Sequence, residues 1–459
     1  MTVIPTAEVA AAVAGFEARA IGLRRRLHAH PEVGWTEFFA TWTLREALAA
    51  AGVTDVVAGA DVYRTPERLG LPAADVVARA ESDARAAGVP EEALATMADG
   101  RTGLVATLDS GRPGPSIVVR ADIDALAVGE ADDAAHRPAA GGYASNRPGY
   151  SHACGHDAHS ATVYLVAAAL RVLGLPRSGR VTFLFQPAEE GARGADAFVR
   201  SGWLDGCDHF LSLHNASRDW FRTGDVAVGV HDMLATVKLD VALRGREAHA
   251  GLAPELGRSA LTAASAIALL VPALPRRRDA QTITAVGELR AGSSRNIVPG
   301  AATIGMELRS TVQEEVDDLQ ERVERLVRGL GDALEVGTEV TVVGRADAAS
   351  SSPELMALVE ASLADVPGIR ALPSMEYGAS DDAASMMRHV QRAGGQATYL
   401  HIGNTFPGLT HTPRFDVDEE IIGIGATVLV ASIARILTTS GHRDVDTERR
   451  PAANEESSR

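Results

Sequence analysis

Residues 150–160, YSHACGHDAHS, bring together three histidines, one cysteine and one aspartate. Cys154 and His156 are two positions apart, and Gly155 between them lets the backbone direct both side chains to one point. Thiolate and imidazole are ligands suited to zinc or a similar divalent ion. The alternative is a helix-capping loop with surface histidines, and an isolated C-x-H pattern favours that alternative.

Further ligand types follow three predicted strands. FQPAEEG places Glu189 and Glu190 directly after the apolar run VTFLF, LSLHN ends a strand with His214, and GLTHTPRF brings His411 after ATYLHIG. Ligands bind at the ends of parallel strands, and adjacent carboxylates repel each other unless a cation neutralises one of them. Taken singly, these residues are solvated acids and structural histidines; their convergence favours a metal site.

The elements that must position these residues alternate along the chain. Residues 7–50 predict two amphipathic helices separated by HAHPEVGW, and residues 51–100 predict an insertion with a helix near 73–97. TGLVATLDSGRPGPSIVVRADIDAL predicts a hairpin or strand pair. A helix (158–173), a strand (180–186), a helix (194–202) and a strand (209–215) follow. This rhythm predicts an α/β fold with a mostly parallel mixed sheet and covering helices.

The pattern changes near residue 235. A strand (235–245), a helix (258–273), two strands, a helix (312–333) and a strand (336–344) predict a smaller α+β unit in β-α-β-β-α-β order, which is ferredoxin-like. We therefore expect a catalytic domain in two parts, 1–234 and 348–440, interrupted by an inserted lid or dimerisation domain, 235–347. Residues 441–459 are polar and predict a disordered tail.

Composition limits the partners and the compartment. The net charge is −16 with no basic stripe, which argues against nucleic acid and anionic membranes. No stretch approaches the ~20 apolar residues of a membrane span, and the N-terminal segment lacks the order of a signal peptide. Two cysteines provide no disulfide framework. We expect a cytoplasmic protein with Cys154 and Cys207 reduced.

Six motifs carry a resemblance to a known family. RRRLHAHPEVGWTE, RADIDAL, HACGHDAH, FQPAEEG, HAG…P…GRSAL and NIVPG occur in the order typical of the two-metal aminoacylase and carboxypeptidase-G superfamily, and over residues 8–438 the chain resembles its amidohydrolase branch. That branch cleaves N-acyl amino acids such as indole-acetyl conjugates. The 51–100 insertion and DDAASMMRHVQRAGG resemble the hydrolases of p-aminobenzoyl-glutamate within it.

The resemblance implies a role for each matching residue. Five residues would hold two divalent metal ions per chain, manganese or zinc: Cys154, His156, Glu190, His214 and His411. Glu189 would be the general base, and Asp124 would orient a ligand or metal. His249 would stabilise the oxyanion, and Asn296 and Arg309 would bind the substrate carboxylate. Relatives also imply a homodimer, or a heteromer with a related second subunit.

Two departures from the family pattern and several alternatives stay open. DALAV lacks a proline that the branch has after the leucine, and Ser380–Asp382 reads SDD where Ser-Glu-Asp is commoner. A metal-dependent amidohydrolase releasing glutamate from p-aminobenzoyl-glutamate is the first hypothesis. The others are a general N-acyl-amino-acid amidohydrolase and a regulatory subunit of a heteromeric hydrolase. A zinc deaminase would need H-x-E with P-C-x-x-C, which the sequence lacks.

Overall fold

The computed structural model describes residues 4–405 and 408–439. Twelve α-helices lie in this part: α1 Thr6–Ala29, α2 Phe38–Ala50, α3 Ala74–Ala86, α4 Glu91–Thr96, α5 Arg137–Ala140, α6 His156–Val172, α7 Ala195–Arg200, α8 Ala260–Leu270, α9 Gln313–Leu334, α10 Pro353–Leu363, α11 Ala383–Arg392 and α12 Glu420–Thr439. The same residues form fourteen strands: β1 Val56–Ala58, β2 Leu104–Asp109, β3 Ser116–Asp122, β4 Arg180–Gln186, β5 His209–Ala216, β6 Asp225–Ala227, β7 Val230–His231, β8 Ala235–Arg244, β9 Thr282–Ala291, β10 Ala301–Ser310, β11 Gly337–Ala346, β12 Arg370–Leu372, β13 Met375–Glu376 and β14 Gln396–Gly403. The predicted tail, 441–459, is outside the described residues.

The larger sheet has eight strands in the order β1-β2-β4-β3-β5-β14-β6-β12. Its four central strands, β4, β3, β5 and β14, are parallel to one another, while β2 and β6 flank them in antiparallel pairing. The prediction of a mostly parallel mixed sheet is confirmed. Because the central strands are parallel, their carboxyl ends meet at one edge of the sheet, where α/β proteins bind ligands.

The predicted hairpin between the two runs on either side of residues 110–115 is wrong. Both runs form strands, but β4 lies between them, antiparallel to β2 and parallel to β3. Every residue of β3 is buried, so this strand needs a neighbour on each side. The strands β4 and β5 provide both neighbours.

Helices cover both faces of the sheet. On one face, α1, α2, α6, α10 and α12 bury their apolar side chains against alternate strand residues such as Val119 and Phe183. On the other face, α7 and α11 pack against the intervening residues, such as Val118 and Leu184. This alternation is expected of central strands that are buried on both faces.

Two further units lie outside these layers. The 51–100 insertion contributes α3 and α4, whose Ala80, Ala84 and Leu94 pack on Phe38 and Phe39 of α2. The block 235–347 forms an antiparallel sheet in the order β11-β8-β10-β9, covered by α8 and α9 around a separate apolar core. The strand order and the β-α-β-β-α-β sequence are those of a ferredoxin-like unit.

The expectation that no segment has the composition of a membrane span is wrong for α12. This helix has 20 residues, and its most apolar window has a mean hydropathy of 2.0. It is nevertheless mostly buried against α1, α6 and α10, so its apolar character matches a place in the protein core.

Candidate active site

Cys154 and His156 lie where α6 begins, at the carboxyl edge of the central strands. Gly155 has a φ of 93°, and a Cβ there would stand 2.1 Å from Oδ1 of Asn215. Only glycine meets both conditions, so Gly155 allows the cysteine and the histidine to face the same space. The Cys154 Sγ is 3.4 Å from Nε2 of His214, which brings a third ligand type to this point.

Glu189 and Glu190 lie just after β4 on a turn that Asp124 holds. The Asp124 carboxylate accepts the backbone N–H of Glu189 at 3.2 Å and that of Glu190 at 3.0 Å. The same carboxylate bonds Nδ1 of His156 at 3.1 Å, leaving Nε2 as the atom that faces the two glutamates at 3.9 and 4.0 Å. Asp124 thus orients a ligand and the glutamate turn together.

His411 completes the group from the C-terminal part of the chain. Its Nε2 is 3.2 Å from Oε1 of Glu190, and its backbone N–H donates to the carbonyl of Ala153 at 2.8 Å. The ring is half-exposed, unlike the buried His156. The structure therefore brings together all five predicted ligands and Glu189, from four separate segments of the chain.

The arrangement matches a pair of divalent cations. Ligand atoms lie within 4.8 Å of one another in three overlapping sets: Cys154–His156–His214, Cys154–Glu190–His411 and His156–Glu189–Glu190. Nε2 of His156 and Oε1 of Glu190 are buried without a hydrogen-bond partner within the described residues. Buried polar atoms without partners are costly, and a cation between these two atoms would satisfy both.

The electrostatics of the site also indicate a cation. Burial raises the pKa of Glu189 well above its usual range, and the charges of Asp381 and Glu190 add to the effect. Burial likewise raises the pKa of the Cys154 thiol. A divalent cation would offset both effects, because it stabilises the thiolate and the carboxylates at neutral pH.

The N-terminal motif RRRLHAHPEVGWTE supports the site through hydrogen bonds that sequence reasoning missed. Glu37 accepts the backbone N–H of Ala188 at 2.8 Å, where Ala188 takes a φ of 55° just before Glu189. Arg24 and His28 bind Asp157, the neighbour of His156, at 2.7 and 2.8 Å. The motif therefore positions the residues on both sides of the site.

A buried arginine beside Glu189 is a second feature that the sequence did not reveal. Arg120 contacts Asp122 at 2.8 Å, Asp382 at 3.0 Å and Asp381 at 3.5 Å. Asp381 and Asp382 each place a carboxylate oxygen within 4.8 Å of one from Glu189. The departure from the family pattern at Ser380–Asp382 was the signal available: its two acids form this buried ion cluster.

His159 is a third residue that sequence reasoning did not select. It bonds Oδ1 of Asp122 at 2.7 Å and contacts Asn215, so it lies one layer beneath His156 and His214. Its two ring nitrogens are thereby occupied, which makes it a support for the site. Its position one helical turn after His156 was the available signal.

Three predicted residues lie apart from this cluster, in the ferredoxin-like unit. His249 and Asn296 are exposed, and Arg309 pairs with Glu307 at 2.9 Å. In the part of the chain that the structure describes, no hydrogen bond or ion pair joins any of the three to the metal-ligand cluster. Nδ1 of His249 accepts the backbone N–H groups of Gly251 and Leu252, so in the neutral ring Nε2 carries the proton.

The profile of Peptidase family M20/M25/M40 matches residues 118–435, which include every predicted site residue. The chain belongs to this family. It is a metal-dependent amidohydrolase, because the family consists of dinuclear metal-dependent peptidases and amidohydrolases and the ligand groups occur here. The resemblance inferred from the motifs is confirmed, and the deaminase alternative is excluded.

Similar proteins cover nearly the whole chain. One of the named subunits of the p-aminobenzoyl-glutamate hydrolase of Escherichia coli is 36% identical over 91% of this chain and 96% of its own length. The indole-3-acetyl-aspartic acid hydrolase of Enterobacter agglomerans is 36% identical over 88% and 93%. The crystal structure of an aminobenzoyl-glutamate utilization protein from Klebsiella pneumoniae has a TM-score of 0.78 and 32% identity over 92% and 96%.

Proposed function

We propose that the chain hydrolyses the amide bond between an acyl or aroyl group and an acidic amino acid, with p-aminobenzoyl-glutamate as the first candidate substrate. The observation that carries this proposal is Glu189, which stands among five metal-ligand side chains at the carboxyl edge of the sheet. Two similar proteins are named for conjugates of glutamate and of aspartate, which supports an acidic amino acid as the released product.

Five residues would hold the two divalent cations: Cys154, His156, Glu190, His214 and His411. Manganese and zinc both suit this mixture of thiolate, imidazole and carboxylate donors. When bound, the cations supply a Lewis acid that lowers the pKa of water and polarises the amide carbonyl. The protein residues then have to orient the substrate and move the protons.

Glu189 would accept the proton of the attacking water and deliver it to the amide nitrogen, which leaves as a free amine. Asp124 keeps Glu189 in place through its backbone N–H, and Arg120 offsets the charge of the neighbouring Asp381 and Asp382. His249 would donate from Nε2 to the oxyanion. Asn296 and Arg309 would bind the α-carboxylate of the substrate, Arg309 exchanging Glu307 for it.

The assembly and the compartment complete the proposal. One similar protein is named as one of several subunits, so a related second chain is a candidate partner, besides a second copy of this chain. The described cysteines, Cys154 and Cys207, are free and buried, which agrees with a cytoplasmic enzyme.

The test is hydrolysis of p-aminobenzoyl-glutamate by the purified chain, alone and mixed with a related second subunit. We expect release of p-aminobenzoate, its loss after chelation, and its return with manganese or zinc. N-acetyl-leucine and N-acetyl-glutamate serve as comparison substrates. Hydrolysis of the acetyl compounds without any release of p-aminobenzoate would make the chain a general aminoacylase. No hydrolysis in any mixture would overturn the proposal.

A further inference from the structure

The loop that follows β5 runs along the edge of the sheet where the metal ligands lie. It begins at Ser217, whose hydroxyl donates to the carbonyl of Asn404 at 2.7 Å. It is fixed again at Phe221, which is fully buried and whose backbone N–H donates to Arg218. Arg218 therefore occupies an anchored turn only four residues after the predicted ligand His214.

The guanidinium of Arg218 is exposed, and it has neither an ion pair nor a hydrogen bond within residues 4–405 and 408–439. Other arginines near the site are occupied. Arg222 of the same loop donates to the carbonyl of Asp219, and Arg309 pairs with Glu307. A guanidinium is a planar fork of donors that suits a carboxylate, and Arg218 keeps this capacity free.

Beneath Arg218 lies a wall of two stacked rings. His401 of β14 pairs in register with His214 of β5, and its ring centroid is 5.3 Å from that of Tyr377. The hydroxyl of Tyr377 reaches Asp381, the acid beside Glu189, at 3.4 Å. The two rings therefore form a continuous surface between the general base and the loop of Arg218.

His401 adds no charge that would occupy Arg218. It is 5% exposed, and its Nδ1 is buried without a hydrogen-bond partner among the described residues. Burial, and then the nearby charge of Arg218, lower the pKa of His401 to about 3, so the ring is neutral at physiological pH. A carboxylate arriving at this wall would meet one unpaired cation over a neutral surface.

We propose that Arg218 binds the side-chain carboxylate of the acidic amino acid in the substrate, while the Tyr377–His401 pair packs against its methylene groups. This inference rests on the proposed function and extends it, because it assigns the selection of an acidic over a neutral amino acid to one residue. The α-carboxylate would still be bound by Asn296 and Arg309, so the two carboxylates of glutamate have separate partners.

The test compares two substrates that differ only in this charge, p-aminobenzoyl-glutamate and p-aminobenzoyl-glutamine. We expect the wild-type chain to prefer the glutamate conjugate by roughly 10- to 100-fold in kcat/KM, the range of one charge-assisted pair. Arg218→Gln should bring this ratio close to one, mainly through KM. Arg222→Gln, from the same loop, is the matched control and should keep the wild-type ratio.

Two results would overturn the inference: a wild-type ratio near one, or an Arg218→Gln variant that keeps the wild-type preference. Binding of both conjugates, measured by calorimetry on the metal-loaded chain carrying Glu189→Gln, gives an answer independent of turnover. If the wild type cleaves neither conjugate, the proposed function fails. The Arg218 assignment then stands only if binding still favours the glutamate conjugate and Arg218→Gln, combined with Glu189→Gln, removes that preference.

Discussion

Cys154 is the softest of the predicted metal ligands, and it shares two of the three ligand sets. A serine hydroxyl is a poor substitute for a thiolate, so Cys154→Ser should weaken metal binding at least 10-fold. Metal analysis after dialysis against a weak chelator measures the effect. Cys207→Ser changes the other buried, free cysteine and should keep the metal content of the wild type. Equal metal content in both variants would remove Cys154 from the site.

Glu189 and Glu190 are neighbours with different expected roles. As general base, Glu189 should contribute roughly 10²–10⁴-fold to the rate, so Glu189→Gln should lose that much kcat while it still binds metal. Glu190→Gln should instead lose metal, because its Oε1 lies beside His411 and His156. Steady-state kinetics with metal analysis on both variants separates the roles. A Glu189→Gln enzyme within a few-fold of wild type would contradict ours.

At the scale of elements, the start of α6 depends on one glycine. Gly155→Ala would force a side chain into a left-handed backbone and against Asn215, which should move Cys154 and His156 and lower metal affinity and kcat/KM at least 10-fold. Gly174→Ala, near the C-terminal end of the same helix, also has a positive φ but meets no atom within 4 Å. It should cost only about 1 kcal/mol in the free energy of unfolding. Similar metal affinity in the two variants would argue against this role for Gly155.

Glu130 joins α1 to the loop that leads to the site. It contacts His28 at 2.7 Å and His136 at 2.9 Å. Burial would raise its pKa, but the bond and charge of His28 outweigh burial and lower it from 4.5 to about 2. A carboxyl with a lowered folded pKa stabilises the fold above its unfolded pKa, and this stabilisation is lost as the pH falls from about 4.5 towards 2.

Glu130→Gln should therefore reduce the free energy of unfolding by about 1–3 kcal/mol at pH 6–7, and the difference from wild type should shrink below pH 4.5. Urea unfolding at pH 6.5, 5 and 3.5 measures the difference. Glu46→Gln changes an exposed acid on α2 and should stay within about 0.5 kcal/mol of wild type throughout. A constant difference across this pH range would contradict the prediction.

For the whole molecule, the open question is which chain supplies His249. Its Nε2–H is available for an oxyanion, yet nothing in the described part of its own chain links it to the metal ligands. We predict that it acts across a dimer interface. Mixing Glu189→Gln chains with His249→Ala chains, after mild unfolding and reassembly, should then recover activity, because each mixed dimer contains one complete site. A mixture that stays inactive, while mixed wild-type chains recover, would place His249 within its own chain.

The sequence determined the metal ligands, the general base and the type of sheet because these depend on local patterns. Ligand residues directly follow apolar strand runs, and glycine lies between Cys154 and His156. The tertiary structure decided what depends on contacts distant in sequence: the insertion of β4 between β2 and β3, and the packing of the apolar α12 inside the core. It also placed Asp381 and Asp382 on Arg120, some 260 residues away, beside Glu189. A strand pattern states which residues are buried but not which neighbours they choose, and a charge states no partner until the chain has folded.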